Sequence, residues 1–232
     1  MKKVAIVQSN YIPWKGYFDL IRAVDEFILY EDAQYTVRDW RNRNRIKTDR
    51  GPAWLTIPVL VKDKRFQALK DVKISDADWG NKHWQAVKRA YGKAAFFKEY
   101  RDIFEPLYRN NSNVFLSQVN RRWIEAVNGI LSIKTKISSS MEYPLKKNLD
   151  KTEKLVTICQ KAGASEYFSG PAAKDYLRAD LFEKAGIRVH FVKYAGYPEY
   201  PQLFLPFVHE VSILDLIFNT GDQATKYMKR FC

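Results

Sequence analysis

Residues 2–32 constrain the fold more than any other stretch. "KKVAIV" is a short apolar run of strand length, "KGYFDLIRAV" carries an amphipathic helical pattern with Phe18, Leu20 and Ile21 inward, and "EFILYED" is a second strand ending in acids. Two strands joined through a helix within about 30 residues form a βαβ unit, and such a crossover makes the strands parallel. The expected class is therefore α/β: a Rossmann-like, mostly parallel sheet with flanking helices.

The rest of the chain extends this frame. "AWLTIPVLV" is a further strand whose end is bent or moved to an edge by Pro58, and "DVKIS" a short one after it. From Asn81 to about Gly129 the apolar spacing turns to three and four over "NKHWQAVKRAYG", "AAFFKEYRDIFEPLY" and "NVFLSQVNRRWIEAVNGIL", so residues 80–135 form a helical middle segment. Ser117, Arg121 and Arg122 are expected on solvated faces of the third of these helices. "KTEKLVTICQKAGA" is a helix closed by glycine, leading through the strand "SEYFSG" and "DYLRADLFEKAGI" to the strand "RVHFVKY", a second βαβ-like unit. "VSILDLIFNTG" closes the pattern as a helix stopped at Gly221. No repeat or low-complexity stretch interrupts residues 1–232, which read as one domain. The nearest approach to a hinge is "SSSMEYPLKKNLD", residues 138–150.

Charge narrows the partners. The formal net charge is +13, which favours nucleotide-linked substrates, coenzyme phosphates, RNA or an anionic surface, against the plainer reading of a solvated lysine-rich face. Aromatic residues make up 15% of the chain, and several tyrosines and tryptophans adjoin basic residues where they can stack on sugars or bases. Cys159 and Cys232 are too few for a disulfide scaffold or a cysteine-type zinc site and fit a reducing cytoplasm. No apolar run reaches membrane-spanning length, and the opening apolar run is short for a signal peptide. The scattered His83, His190 and His209 do not make a helical metal motif, so no metal is expected.

In an open α/β sheet the ligand lies outside the carboxyl ends of the strands, where three segments should converge. "QSNYIPWKGY" offers Gln8, Ser9 and Asn10 as amide and hydroxyl groups, Tyr11, Trp14 and Tyr17 as flat surfaces, Lys15 as a phosphate-seeking charge and Gly16 at a helix start. A buried turn packing the helix on the sheet is the competing reading, and it suits Trp14 best. "YEDAQYTVRDWRNRNRI" continues to Arg50 with six basic residues against Asp39 and Asp49, a net +4. On an extended strand Arg41, Arg43 and Arg45 share one face, to hold phosphate, and Asn42 and Asn44 the other, to read sugar hydroxyls. A charge-protected edge strand is the alternative. Before it, Glu31, Asp32 and Gln34 stand at a strand end, where a carboxylate serves either as general base or as a salt-bridge partner. In "FSGPAAKDYL", Ser169 and Gly170 form a strand-to-helix turn able to hold an anion or oxyanion, with Tyr176 beyond it, or simply a capped turn. His83 is the best-placed catalytic histidine, or a satisfied core one.

"QSNYIPWKGYFDLI", "DEFILYEDAQY", "WRNRNRIKT", "WLTIPV", "YFSGPAAKDYL" and "SILDLIFNTG" together resemble the WbqC-like family, in order and spacing along essentially the whole chain. That family occurs among bacterial O-antigen and related surface-polysaccharide gene sets, and the resemblance implies a role in making modified sugars. A weaker likeness is to HIGH-type nucleotidylyltransferases, with Gly16 in place, Tyr17 where their loop carries histidine, and "ISSSMEY" at 137–143 as a faint second loop. The resulting expectation is acyl or aminoacyl transfer to the amine of a nucleotide-linked amino sugar, from a coenzyme A thioester or a charged transfer RNA. Asp32 or His83 would remove the amine proton, with Ser169 and Gly170 at the oxyanion. The alternatives are a nucleotidyltransferase-like enzyme and a non-catalytic module that binds RNA or a protein.

Overall fold

The computed structural model describes residues 1–62, 64, 66–110 and 114–231; Cys232 and Asn113, the first residue of the third expected helix, lie outside the described residues. In chain order the strands and α-helices are β1 (Lys3–Val7), α1 (Lys15–Arg22), β2 (Glu26–Leu29), β3 (Arg43–Thr48), β4 (Gly51–Thr56), α2 (Trp79–Tyr91), α3 (Phe97–Arg109), α4 (Leu116–Ile130), β5 (Lys136–Ser139), α5 (Lys151–Lys161), β6 (Glu166–Ser169), α6 (Ala179–Lys184), β7 (Arg188–Phe191) and α7 (Ile213–Thr220). No helix among the described residues is long and apolar enough to cross a membrane.

Five of these strands make one parallel sheet in the order β5-β2-β1-β6-β7. The first βαβ unit pairs Ile6 with Ile28 and Val7 with Leu29. From β1 the chain steps outward through β2 and β5, then returns to the other side of β1 as β6 and β7. The order reverses at the β1–β6 junction, the topological switch point at which ligands of such sheets are generally held.

Both faces of the sheet are covered, as continuous apolar strands require. Val4 and Ile6 of β1, Ile28 of β2 and Tyr167 of β6 cluster with Leu155, Ile158 and Cys159 of α5 and Phe182 of α6. The alternate residues Ala5, Phe27, Leu29 and Phe168 join the larger cluster with Phe18 and Ile21 of α1, Trp123 of α4 and Phe218 of α7. Helix α5 starts in a capping box of Asp150 and Glu153 and is followed by Gly163 at φ 69°, the left-handed stop that its sequence calls for.

Three local expectations are corrected. "DVKIS" is no strand: Lys73 and Ile74 make only isolated bridges, to Phe115 and Val59. The run 53–61 ends as a strand at Thr56, pairing antiparallel with β3 in a separate two-stranded hairpin. The proposed hinge begins inside β5, whose Ser139 then caps the following turn together with Glu142. That edge strand was unmarked in sequence because its polar "KISS" carries no apolar alternation.

Candidate active site

The loop leaving β1 meets the segment that precedes β3 in a bench of amides around one guanidinium. Arg41 donates through Nε to Gln8 Oε1 at 2.8 Å and makes a second, short bond to the same oxygen through its terminal nitrogen. It also donates to Asn10 Oδ1 at 3.1 Å and lies 3.5 Å from Asp39. Gln8 in turn donates to the Gln34 carbonyl at 3.0 Å. Asn120 of α4, fully buried, fixes both partners by donating to the Arg41 carbonyl at 2.9 Å and to Ser9 Oγ at 3.2 Å. The loop turns through Ile12 at φ 36°, a conformation unfavourable for a β-branched residue. Asn44 holds it there by donating to the carbonyls of Tyr11 and Ile12 at 3.2 and 2.9 Å.

Beside this bench, two adjacent carboxylates follow β2. Asp32 accepts from Lys70 Nζ at 2.6 Å and from Ser140 Oγ at 2.6 Å, and the Ser140 oxygen accepts the backbone N–H groups of Glu31 and Asp32 at 3.1 and 3.3 Å. Burial raises the Asp32 pKa, but the Lys70 ammonium and the Ser140 hydroxyl outweigh it and hold the group below the usual carboxylate range. Glu31 is 3% exposed and neither carboxylate oxygen meets a hydrogen bond of normal geometry. Burial pushes its pKa up to about 7; Ser9 opposes this, the Asp32 charge adds to it, and Arg121 and Arg41 pull weakly the other way. A carboxyl group poised near neutrality thus stands next to one fixed as an anion. Divergent neighbours of this kind separate acid–base from electrostatic roles.

Tyr17 packs the helix on the sheet. It is buried, its ring lies 5.2 Å from that of Phe27, and its hydroxyl donates to the Gln8 carbonyl at 3.1 Å. It supports the bench from behind. Ser169 is buried at the end of β6, near the Tyr167 hydroxyl at 3.4 Å, and Gly170 opens the turn Pro171–Asp175. That turn brings Tyr176, 56% exposed, close enough to Arg41 to feel its charge, and Tyr30 feels both Asp32 and Tyr176. Gln34, through its carbonyl bond from Gln8, and Tyr176, through the charge of Arg41, are thus the expected residues within reach of the bench.

Other expected residues are engaged elsewhere. His83 of α2 is buried among Tyr11, Trp79 and Tyr108; its Nδ1 accepts from the Tyr11 hydroxyl at 2.8 Å and its Nε2 donates to the Thr56 carbonyl at 3.1 Å. Burial pulls its pKa down to about 4, so it is a neutral core histidine with both ring nitrogens already engaged. Tyr11, at 0% exposure, is its hydrogen-bond partner in the core. Lys15 lies under the rings of Tyr197 and Tyr200, 4.9 and 4.8 Å from their centres, and donates to the Pro198 carbonyl at 3.2 Å. Desolvation lowers its pKa to about 8 against the pull of Asp19 and Asp215, and the residues 197–200 that cover it keep it from the mouth. The alternation along β3 is as expected, but Asn42 and Asn44 face the interior, 5% and 3% exposed, donating to backbone carbonyls instead of reading a sugar. Arg43 remains on the outer face.

Glu31 is named in the sequence only beside Asp32, and nothing local separates them. Lys70 and Asn120 had no signal, and Ser140 stood only within the faint "ISSSMEY" run; each comes from a distant segment and acts by position.

A family model described as "WbqC-like protein family" matches residues 8–227 of this chain. A protein of Mycobacterium tuberculosis (strain ATCC 25618 / H37Rv), named "Uncharacterized protein Rv1507c", is 49% identical over 232 residues, covering 100% of this chain and 99% of the relative. No solved structure matches.

Proposed function

The chain belongs to the WbqC-like protein family, and from that premise we propose that it is a biosynthetic transferase for surface-polysaccharide precursors, moving an acyl or aminoacyl group onto the amine of a nucleotide-linked amino sugar. What supports the chemistry is the placement at the strand ends of a buried Glu31, whose carboxylate meets no hydrogen bond of normal geometry, beside Asp32 held as an anion by Lys70 and Ser140. Glu31 takes the proton from the attacking amine as the new C–N bond forms at the donor carbonyl. The C–S bond of a thioester donor, or the C–O bond of an aminoacyl ester, then breaks, and Glu31 returns the proton to the leaving sulfur or oxygen. The Asp32–Lys70 pair stays charged throughout and fixes the field around the reacting amine. Arg41, Gln8 and Asn10 present the polar surface that orients the sugar or its phosphates. Glu31 is covered in the free chain, so admitting substrate requires a local rearrangement at the strand ends.

The nucleotidyl-transfer reading gains no such support. Tyr17, at the histidine position of that loop, is neutral, buried and bound to a carbonyl, and offers no charge to a triphosphate in transit.

The test is direct. The protein is incubated with nucleotide-linked amino sugars and acyl thioesters, or charged transfer RNA, and the sugar mass is followed by mass spectrometry. N-acylated product from the wild type and none from Glu31→Gln supports the assignment. Undiminished product from Glu31→Gln removes the proposed base.

A further inference from the structure

The outer face of the β3–β4 hairpin is built unlike a protective edge. Trp40 and Trp54 are 39% and 45% exposed, with ring centres 5.3 Å apart and planes inclined by 40°. The Arg43 guanidinium lies 4.2 Å from the Trp54 ring centre; that of Arg45 lies 5.5 Å from Trp54 and 5.8 Å from Trp40. Arg45 and Trp54 are cross-strand partners, which puts them on one side of the ribbon. The opposite side carries Asn42, Asn44, Ile46 and Leu55, all buried, and that side suffices to seat the hairpin. Arg43 donates through a terminal nitrogen to the Arg38 carbonyl, while the Nε atoms of Arg43 and Arg45 are shut from solvent without a hydrogen-bond partner. Two large exposed indoles flanked by incompletely bonded guanidinium groups are costly to a free surface and match a ligand that is both flat and anionic.

We infer that this Trp40–Trp54–Arg43–Arg45 face binds the nucleoside diphosphate part of a nucleotide-linked substrate. The base stacks on the indoles and the diphosphate lies along the guanidinium groups. The inference rests on the transferase reading and adds the recognition element it lacks. Burial alternates from residue 41 to 46, so Arg41, Arg43 and Arg45 share a side, about 7 Å apart per pair of residues in extended chain. Arg41 is the residue bonded to Gln8 and Asn10 at the mouth. A nucleotide seated on the hairpin therefore directs its diphosphate, and the sugar beyond it, towards the carboxylates. The acids in ion-pair contact here are Asp39, on Arg41, and Glu210, 69% exposed and 3.9 Å from Arg45, leaving a cationic surface for the phosphates.

The experiment is calorimetric titration of the full chain with uridine, adenosine, guanosine, cytidine and thymidine diphosphates, and with the nucleosides and inorganic phosphate alone. At least one diphosphate is expected to bind roughly tenfold or more tighter than its nucleoside or phosphate. Trp54→Ala and Arg43→Ala should each weaken that binding by about tenfold, Trp54→Tyr should restore most of it, and Glu31→Gln should leave it unchanged. Equal diphosphate affinity in wild type and a folded Trp40→Ala/Trp54→Ala variant overturns the inference. So does binding confined to single-stranded RNA oligonucleotides that falls steeply with salt. The two readings fail separately. Sugar acylation with an unchanged KM in Trp54→Ala leaves the transferase standing and removes the hairpin site. Hairpin-dependent diphosphate binding without acylation of any sugar does the reverse.

Discussion

Glu31 and Asp32 share one anchor, the Ser140 hydroxyl, which accepts the backbone N–H of each, yet that hydroxyl gives its proton only to Asp32. Lys70 completes the asymmetry by pairing with Asp32 at 2.6 Å. One acid is thereby fixed as an anion, and the other, buried beside that negative charge, is left near neutrality at about pH 7. Function and stability pull against each other at this point.

Glu31→Gln is expected to lower turnover by about 100-fold or more, in the range of general-base catalysis. In the wild type kcat/KM should rise with pH through about 7 as Glu31 ionises. The folded state holds this proton more tightly than the unfolded chain, whose glutamate titrates near 4.5. The Glu31 contribution to stability is thus most favourable below 4.5 and declines as pH rises to about 7. Thermal melts at pH 5 and pH 8 should show Glu31→Gln gaining several degrees on the wild type at the higher pH. A melting difference independent of pH would place Glu31 in a solvated setting.

His83→Gln is expected to keep turnover within about twofold at pH 7.5, since both ring nitrogens hydrogen-bond inside the core, to Tyr11 and Thr56. Stability should drop by about 1–3 kcal/mol through imperfectly replaced buried hydrogen bonds, read by urea unfolding. The folded His83 pKa of about 4 lies below the ordinary 6.5. Wild-type stability from this group is full above 6.5 and is lost as pH falls towards 4, because the unfolded chain takes up a proton that the fold refuses. The variant should lack that part of the acid slope.

The parallel frame was legible because β1, α1 and β2 have clean periodicities, and Gly163 and Gly221 mark helix ends by their chemistry. The meeting of the first two loops at the strand ends followed from topology. What sequence could not resolve was which polar residues face the mouth. Asn42 and Asn44 have the same polar groups as Gln8 and Asn10, yet they were drawn inward to satisfy loop carbonyls. Lys15 is one residue from the glycine expected at an anion site, but the first turn of α1 faces the segment 197–200. Sequence does not separate Asp32 from Glu31, because the partners that decide between them, Lys70 and Ser140, lie 38 and 108 residues from Asp32.

Gly80 tests how closely the helical segment is packed. A Cβ there would stand 2.0 Å from the backbone carbonyl oxygen of Tyr108, so α2 and α3 meet with no room for a methyl group. Backbone cannot yield as a flexible side chain does. Gly80→Ala should therefore destabilise by about 1–3 kcal/mol or more despite the better helix propensity of alanine. Unchanged stability in urea would mean that the two helices sit farther apart.

Arg41 separates charge from geometry at the mouth. Its guanidinium reaches Gln8 through two nitrogens and Asn10 through a third contact, a forked arrangement that a lysine ammonium cannot reproduce. Its backbone carbonyl, by contrast, is held by Asn120 whatever the side chain. Arg41→Lys should therefore melt within a few degrees of the wild type while losing the fixed orientation of Gln8 and Asn10. The expected result is a KM for the sugar substrate raised about 10- to 100-fold in both Arg41→Lys and Arg41→Ala, with a smaller change in kcat. Recovery of the wild-type KM by lysine would show that only the positive charge matters, and the amide bench would lose its role in orienting substrate.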